Sequence, residues 1–187
     1  MTITDIIVSS AEQSSRFRKA LRILLDLECE FEPDGIRIRS ENVQGDSGGL
    51  TFCGIDHASF PAFPFESPTP FDVWQTYKRE YWDLLSCDTL PTPVGEMLFL
   101  QSVNLGIGRS VRLLQEALND YGSHLTIDGR LGDNTKKAAW ACPTSQDLGN
   151  AFLAKTLRQY KEIAVGEKAK FLTGWTNRVE QIRKAYT

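Results

Sequence analysis

No hydrophobic run in the chain approaches the roughly 20 residues that a bilayer span needs. The first residues, MTITDIIVSSAEQSSRFRK, also lack the basic start, apolar stretch and small-residue cleavage site of a secretory signal. The expectation is a protein made in the cytoplasm, without a membrane span. If its substrate lies outside the cytoplasm, another system must carry it there. Basic charge is not in excess: a formal net charge of -3 and a pI near 5.5 give no global field for polyanions, which argues against a nucleic-acid partner. Only a local basic surface near the C-terminus is compatible with the sequence. The four cysteines, Cys29, Cys53, Cys87 and Cys142, contain no CxxC pair, so the spacing speaks against a zinc site. They read as reduced core residues, with a bridge or redox sensitivity at Cys29 and Cys53 left open. Internal repeats and flexible linkers are absent as well.

What remains is a chain of 187 residues with 41% hydrophobic and 10% aromatic residues, enough to bury a real core. From Ser15 to Glu28 the positions Phe17, Leu21, Leu24 and Leu25 recur at helical spacing, which predicts an amphipathic helix. Pro33, Asp34 and Gly35 end it, and Ile36 to Arg39 alternate like a hairpin arm. Thr69-Pro70-Phe71-Asp72 reads as a cap, a first-turn proline and a first-turn acid. The helix it opens should carry the stripe Phe71, Trp74, Tyr77, Tyr81, Leu84 and Leu85. Thr92-Pro93 repeats the start signal before a helix apolar nearly all round, and further helical patterns follow to Tyr186. The predicted fold is mainly α, with about seven helices and one small β hairpin.

One residue breaks the pattern of the first helix. Extending the stripe by four residues from Leu24 lands on Glu28, so a carboxyl group falls where a leucine is called for. An apolar face and the negative end of a helix dipole both disfavour its charged form. That is what a general acid in glycosidic cleavage requires, because the poor alkoxide leaving group must receive a proton. A purely structural reading pairs Glu28 with Arg37 or Arg39. Glu30 and Glu32 compete for the acid's role, but Glu28 has the stronger link to the stripe. Downstream, Asp46 and Thr51 bracket the Gly48-Gly49 pair, either to position substrate and attacking water or simply to build an Asx turn.

These segments resemble the glycoside hydrolase family 108 muramidases, the lysozyme-like group also called secretion activators. That family has a helix ending in Glu-Gly-Gly-Tyr and then an Asp-x-Gly-Gly-x-Thr-x-x-Gly-Ile segment. The counterparts here are Glu28-Cys29-Glu30-Phe31 and Asp46-Ser47-Gly48-Gly49-Leu50-Thr51-Phe52-Cys53-Gly54-Ile55. The similarity continues through Tyr81-Trp82, Val103-Asn104-Leu105-Gly106, Leu114 to Leu118, Ile127-Asp128-Gly129-Arg130-Leu131-Gly132 with Thr135, and Phe171 to Val179. Two departures stand out: Cys29 and Glu30 replace the glycines beside the acid, and Leu100 and Gln101 stand where the family often has an acid.

The resemblance implies a lysozyme-like fold, divided into a catalytic segment 1–106 and a C-terminal helical peptidoglycan-binding segment 107–187. It implies cleavage of the β-1,4 bond between N-acetylmuramic acid and N-acetylglucosamine in peptidoglycan glycan strands, with no metal or organic cofactor. Glu28 takes the position of the catalytic acid, with Thr51 and Asp46 handling water and sugar. Gly49, Asn104, Tyr81, Trp82, Trp175 and Arg178 are the candidate substrate contacts, although the aromatic residues are also candidates for core packing. A holin, an export machinery or an immunity protein would be the partner according to whether the role is lysis, secretion or attack on other cells. The rival expectation is a wall-binding protein that has lost turnover.

Overall fold

The computed structural model describes residues 1–29 and 50–187 together with the strand residues 31, 32, 35, 36, 39 and 40. The described chain forms two compact units, Met1–Glu80 and Tyr81–Thr187.

The first unit opens with α1, Ile3–Ser9, started by a capping box in which Thr2 and Asp5 exchange hydrogen bonds. Helix α2 spans Ser15–Glu28, as its stripe predicts, and Ser14 caps it by accepting from the Phe17 N–H at 3.2 Å. Phe17, Ala20, Leu21, Leu24 and Leu25 are fully buried. Each of the larger side chains contributes about 1.5–3 kcal/mol by leaving water. Two small antiparallel sheets follow. Strands β1, Phe31–Glu32, and β2, Gly35–Ile36, form one; β3, Arg39–Ser40, β4, Leu50–Phe52, and β5, Ile55–Asp56, form the other in the order β3-β4-β5. Helix α3, Pro70–Tyr77, begins with the Thr69 and Asp72 capping box and the first-turn proline that its sequence announces. It packs on α1, which also meets α2.

The expected stripe holds only in part: Phe71, at the start of α3, is 48% exposed, Tyr77 and Leu85 are buried, and beyond Tyr77 the geometry itself changes. The chain continues as a π-helical stretch, Lys78–Asp83, whose wider turn advances the buried face by five residues instead of four. Tyr77 and Trp82 are therefore buried at 1% and 0% exposure, whereas Leu84, expected inside, is 66% exposed.

In the second unit α4, Val94–Leu105, is the buried centre: Val94 to Ser102 are all inaccessible. Pro93 is itself the N-cap, so the second Thr-Pro pair does not repeat the capping of α3. Helices α5, Ile107–Asp120, and α7, Ser145–Ile163, pack on α4 and on each other. Helix α6, Asp133–Ala141, rests on both, and α8, Leu172–Ala185, closes against α7. The fold is thus mainly α, as expected. The count of eight α-helices among the described residues exceeds the expected seven because α1 buries only Ile3 and Ile6, too little periodicity to announce a helix. No helix among the described residues is long and apolar enough to cross a membrane.

Candidate functional site

Glu28 is the last residue of α2 and is half-buried. Cys29 caps the helix, its N–H donating to the Leu25 carbonyl at 2.9 Å. Its side chain forms a disulfide with Cys53, 24 residues along the chain. This corrects the expectation of reduced core cysteines for this pair, while Cys87 and Cys142 are free thiols. Sequence patterning reports burial, which Cys29 and Cys53 do show, but not that burial brings the two sulfurs together.

Cys53 and Gly54 are the two residues joining β4 to β5, with φ of 48° and 77°. Positive φ at both positions is the signature of a type I′ hairpin turn, whose twist suits the flanking strands. The turn is pressed onto the end of α2. A Cβ at Gly54 would lie 2.9 Å from Glu28 Oε2, 3.0 Å from Glu28 Cβ and 3.0 Å from the Tyr77 hydroxyl. Tyr77, buried at the end of α3, donates its hydroxyl proton to the Cys53 carbonyl. The carboxylate is thereby held among three elements: the covalent link beside it, the glycine of the hairpin turn, and a tyrosine anchored on that same turn.

Gly54→Ala is expected to disturb this arrangement twice. A left-handed non-glycine residue costs about 1–2 kcal/mol, and the added methyl would push directly on the Glu28 carboxylate. A denaturation midpoint lowered by more than the backbone cost alone would show both effects.

Thr51 lies on β4, half-buried, with Arg39 and Asp56 as its cross-strand partners. It is two residues from the disulfide, so the hairpin that contacts Glu28 also carries Thr51. Asp46 and Gly49 lie outside the described residues, as does Glu30. Tyr77 and Gly54 are the members of this cluster that sequence reasoning missed. The sequence pattern places Tyr77 on an apolar stripe, where its hydroxyl gives no signal of its own.

The candidates of the second unit are arranged differently. Tyr81 is half-buried. Trp82 is a core residue: its ring meets Phe99 edge-on at 5.5 Å and its Nε1 donates to Asp88 Oδ2 at 2.8 Å. With no exposed surface it cannot serve as a sugar platform, which corrects that expectation. Asn104, Trp175 and Arg178 gather around Tyr160 and the end of α4. The Tyr160 hydroxyl is 2.6 Å from Asn104 Oδ1 and 3.2 Å from Gln101 Oε1, and it donates to the nearer. Trp175 stacks on the Tyr160 ring at 5.0 Å, and the buried Arg178 donates to the Leu100 carbonyl at 2.9 Å. The Leu100 carbonyl and the Gln101 side chain thus serve the attachment of α8 and α7 to α4.

The glycosyl hydrolase 108 family matches residues 39–106, and a predicted peptidoglycan domain matches residues 109–180. Glu28 and Cys29 precede the first of these matches. No curated protein matches the chain. Among solved structures, that of Brucella abortus SagA is similar, with a TM-score of 0.70 and 24% identity over 90% of this chain and 91% of that one. At this identity the likeness establishes the fold, which is the lysozyme-like helical class. Residues 39–106 are therefore similar to glycosyl hydrolase 108 and residues 109–180 to a predicted peptidoglycan domain, which supports a peptidoglycan-related glycoside hydrolase.

Proposed function

We propose that the protein is a muramidase, hydrolysing the β-1,4 bond between N-acetylmuramic acid and N-acetylglucosamine with Glu28 as general acid. The observation that carries this reading is the placement of the Glu28 carboxylate: at a helix end, against the tight turn of a hairpin, beside a disulfide. A proton donor must meet the glycosidic oxygen as the bond lengthens, and a carboxyl group fixed by three elements needs little reorganisation to do so. Thr51, on the same hairpin, orients water or sugar, and Asp46 and Gly49 belong to the segment leading into that hairpin. The segment 107–187 grips the polymer while 1–106 cleaves it.

Digestion of purified peptidoglycan tests this directly. Soluble fragments ending in reducing N-acetylmuramic acid, identified by mass spectrometry, are the expected products. Anhydro ends would identify a lytic transglycosylase instead. The rival reading, a wall-binding protein without turnover, draws on Leu100 and Gln101 standing, both fully buried, where the family that the sequence resembles often has an acid. It predicts retention on the insoluble wall with no soluble product. The anomeric form of the first product would then separate a retaining from an inverting arrangement of carboxylates.

A further inference from the structure

The second unit contains an open cavity of about 970 Å³ that shares no residue with the Glu28 cluster. It lies between the segment after α5 and one side of α6 with the residues that follow it. Both walls are held by polar side chains one helical turn apart on α5. Gln115, only 2% exposed, places its Nε2 at 2.8 Å from Asp128 Oδ1 and 3.1 Å from the Arg130 carbonyl. Its Oε1 accepts the Gly129 N–H at 2.9 Å. Asn119 fixes the other wall by donating to the Leu125 carbonyl at 2.8 Å and accepting the Leu125 N–H at 2.6 Å. Within that wall His124 adopts a left-handed φ of 52°, a conformation that persists in a non-glycine residue only where its surroundings impose it. The cavity's shape is therefore set before any ligand arrives.

Its lining mixes charge with one aromatic face. Arg130 and Lys137 are exposed cations, Asp133 is an exposed anion, and Tyr121 leaves 43% of its surface open. Asp128 also lines it, but its carboxyl is committed to the wall: hydrogen bonds from the Gln115 amide and the Arg130 backbone hold it below the usual carboxylate range. The pattern suits a short peptide carrying charges of both signs. N-acetylglucosamine is neutral, and so is N-acetylmuramic acid once its lactyl carboxyl is spent in the amide link to a stem, whereas the stems of peptidoglycan carry carboxylates and the amine of a diamino acid. Trp175 and Arg178, the contacts expected from sequence in this unit, are engaged in packing and leave that role open.

We propose that this cavity binds the peptide stem of peptidoglycan, with Arg130 and Lys137 recognising its carboxylates, Asp133 its amine, and Tyr121 covering its apolar side. The proposal rests on the reading that the polymer is peptidoglycan, and it places recognition on the stem and not on the glycan.

The test uses the full chain titrated by calorimetry with a synthetic stem tetrapeptide containing a diamino acid, and separately with a peptide-free N-acetylglucosamine oligomer. Saturable binding of the tetrapeptide is expected. Arg130→Gln and Lys137→Gln should each weaken it at least tenfold, by loss of a charge-assisted hydrogen bond worth about that much. Lys184→Gln, an exposed cation on α8, should not weaken it. Because Arg130 and Lys137 are exposed, unchanged thermal midpoints are expected for the variants. Equal tetrapeptide affinity in the wild type and both groove variants, or no tetrapeptide binding at all, would overturn the proposal. If the wild type digests peptidoglycan yet fails to bind the tetrapeptide, the groove assignment falls and the muramidase reading stands. If it binds the tetrapeptide through Arg130 and Lys137 but digests nothing, the reverse holds.

Discussion

Replacing Glu28 by glutamine is expected to lower turnover on peptidoglycan by about 10²–10⁴-fold, the range spanned by the loss of a positioned general acid. The substitution keeps size and shape, so the hairpin turn at Gly54 still meets a side chain of the same length. Its effect on stability should have the opposite sign. Glu28 ends α2, where the unsatisfied carbonyls give the helix its negative pole, and removing a negative charge there relieves about 0.3–1 kcal/mol. A structural ion pair would behave the other way, losing stability while hydrolysis followed only the folded fraction. Two measurements on one variant therefore separate the roles: product release from peptidoglycan and the thermal midpoint. Abolished hydrolysis with an unchanged or raised midpoint would support the catalytic reading. A lowered midpoint with hydrolysis per folded molecule intact would remove Glu28 from the reaction. The experiment matters because Glu28 precedes the residues that match the glycosyl hydrolase 108 family.

The elements that the sequence announced are those whose signal is local. The stripe Phe17, Leu21, Leu24 and Leu25 marks α2 to its last residue, and that same stripe singled out Glu28. Thr69, Pro70 and Asp72 mark the start of α3 because a cap is built by neighbours in the chain. The nearly continuous apolar run of α4 marks it as central, and it is buried accordingly. Where the outcome depends on distant partners, local pattern misleads. Tyr81 and Trp82 differ by one position, and only the π-helical stretch decides that Trp82 turns inward. Asn104, Trp175 and Arg178 share the chemistry of sugar contacts, yet Tyr160 and the Leu100 carbonyl engage them as packing partners. The groove near Tyr121 was invisible for the complementary reason: much of its wall is irregular chain whose shape comes from Gln115 and Asn119, which reach across 6 to 20 residues of chain.

Reducing the Cys29–Cys53 bond, or replacing both cysteines by serine, is expected to cost about 2–4 kcal/mol of stability and to depress hydrolysis beyond the loss of folded protein. The first effect follows from the loop closed by the bond, whose ends are 24 residues apart; chain-entropy estimates for loops of that order give about 3 kcal/mol. The second follows from position. Cys29, the residue after Glu28, is tied to the residue preceding Gly54, so the bond couples the end of α2 to the turn that touches the carboxylate. The Tyr77 hydroxyl supports the same turn from α3, so the hairpin is expected to remain docked without the bond, only less firmly. Such a bond persists in oxidising compartments and is opened by cytosolic reductants, which makes its state a variable the assay must control. Hydrolysis should be measured with and without dithiothreitol at a temperature where the reduced protein is still folded by circular dichroism. Activity lost under reduction and regained on reoxidation, with the double serine variant indifferent to dithiothreitol, would assign the bond a role in positioning Glu28. Full activity of the folded, reduced protein would confine it to stability.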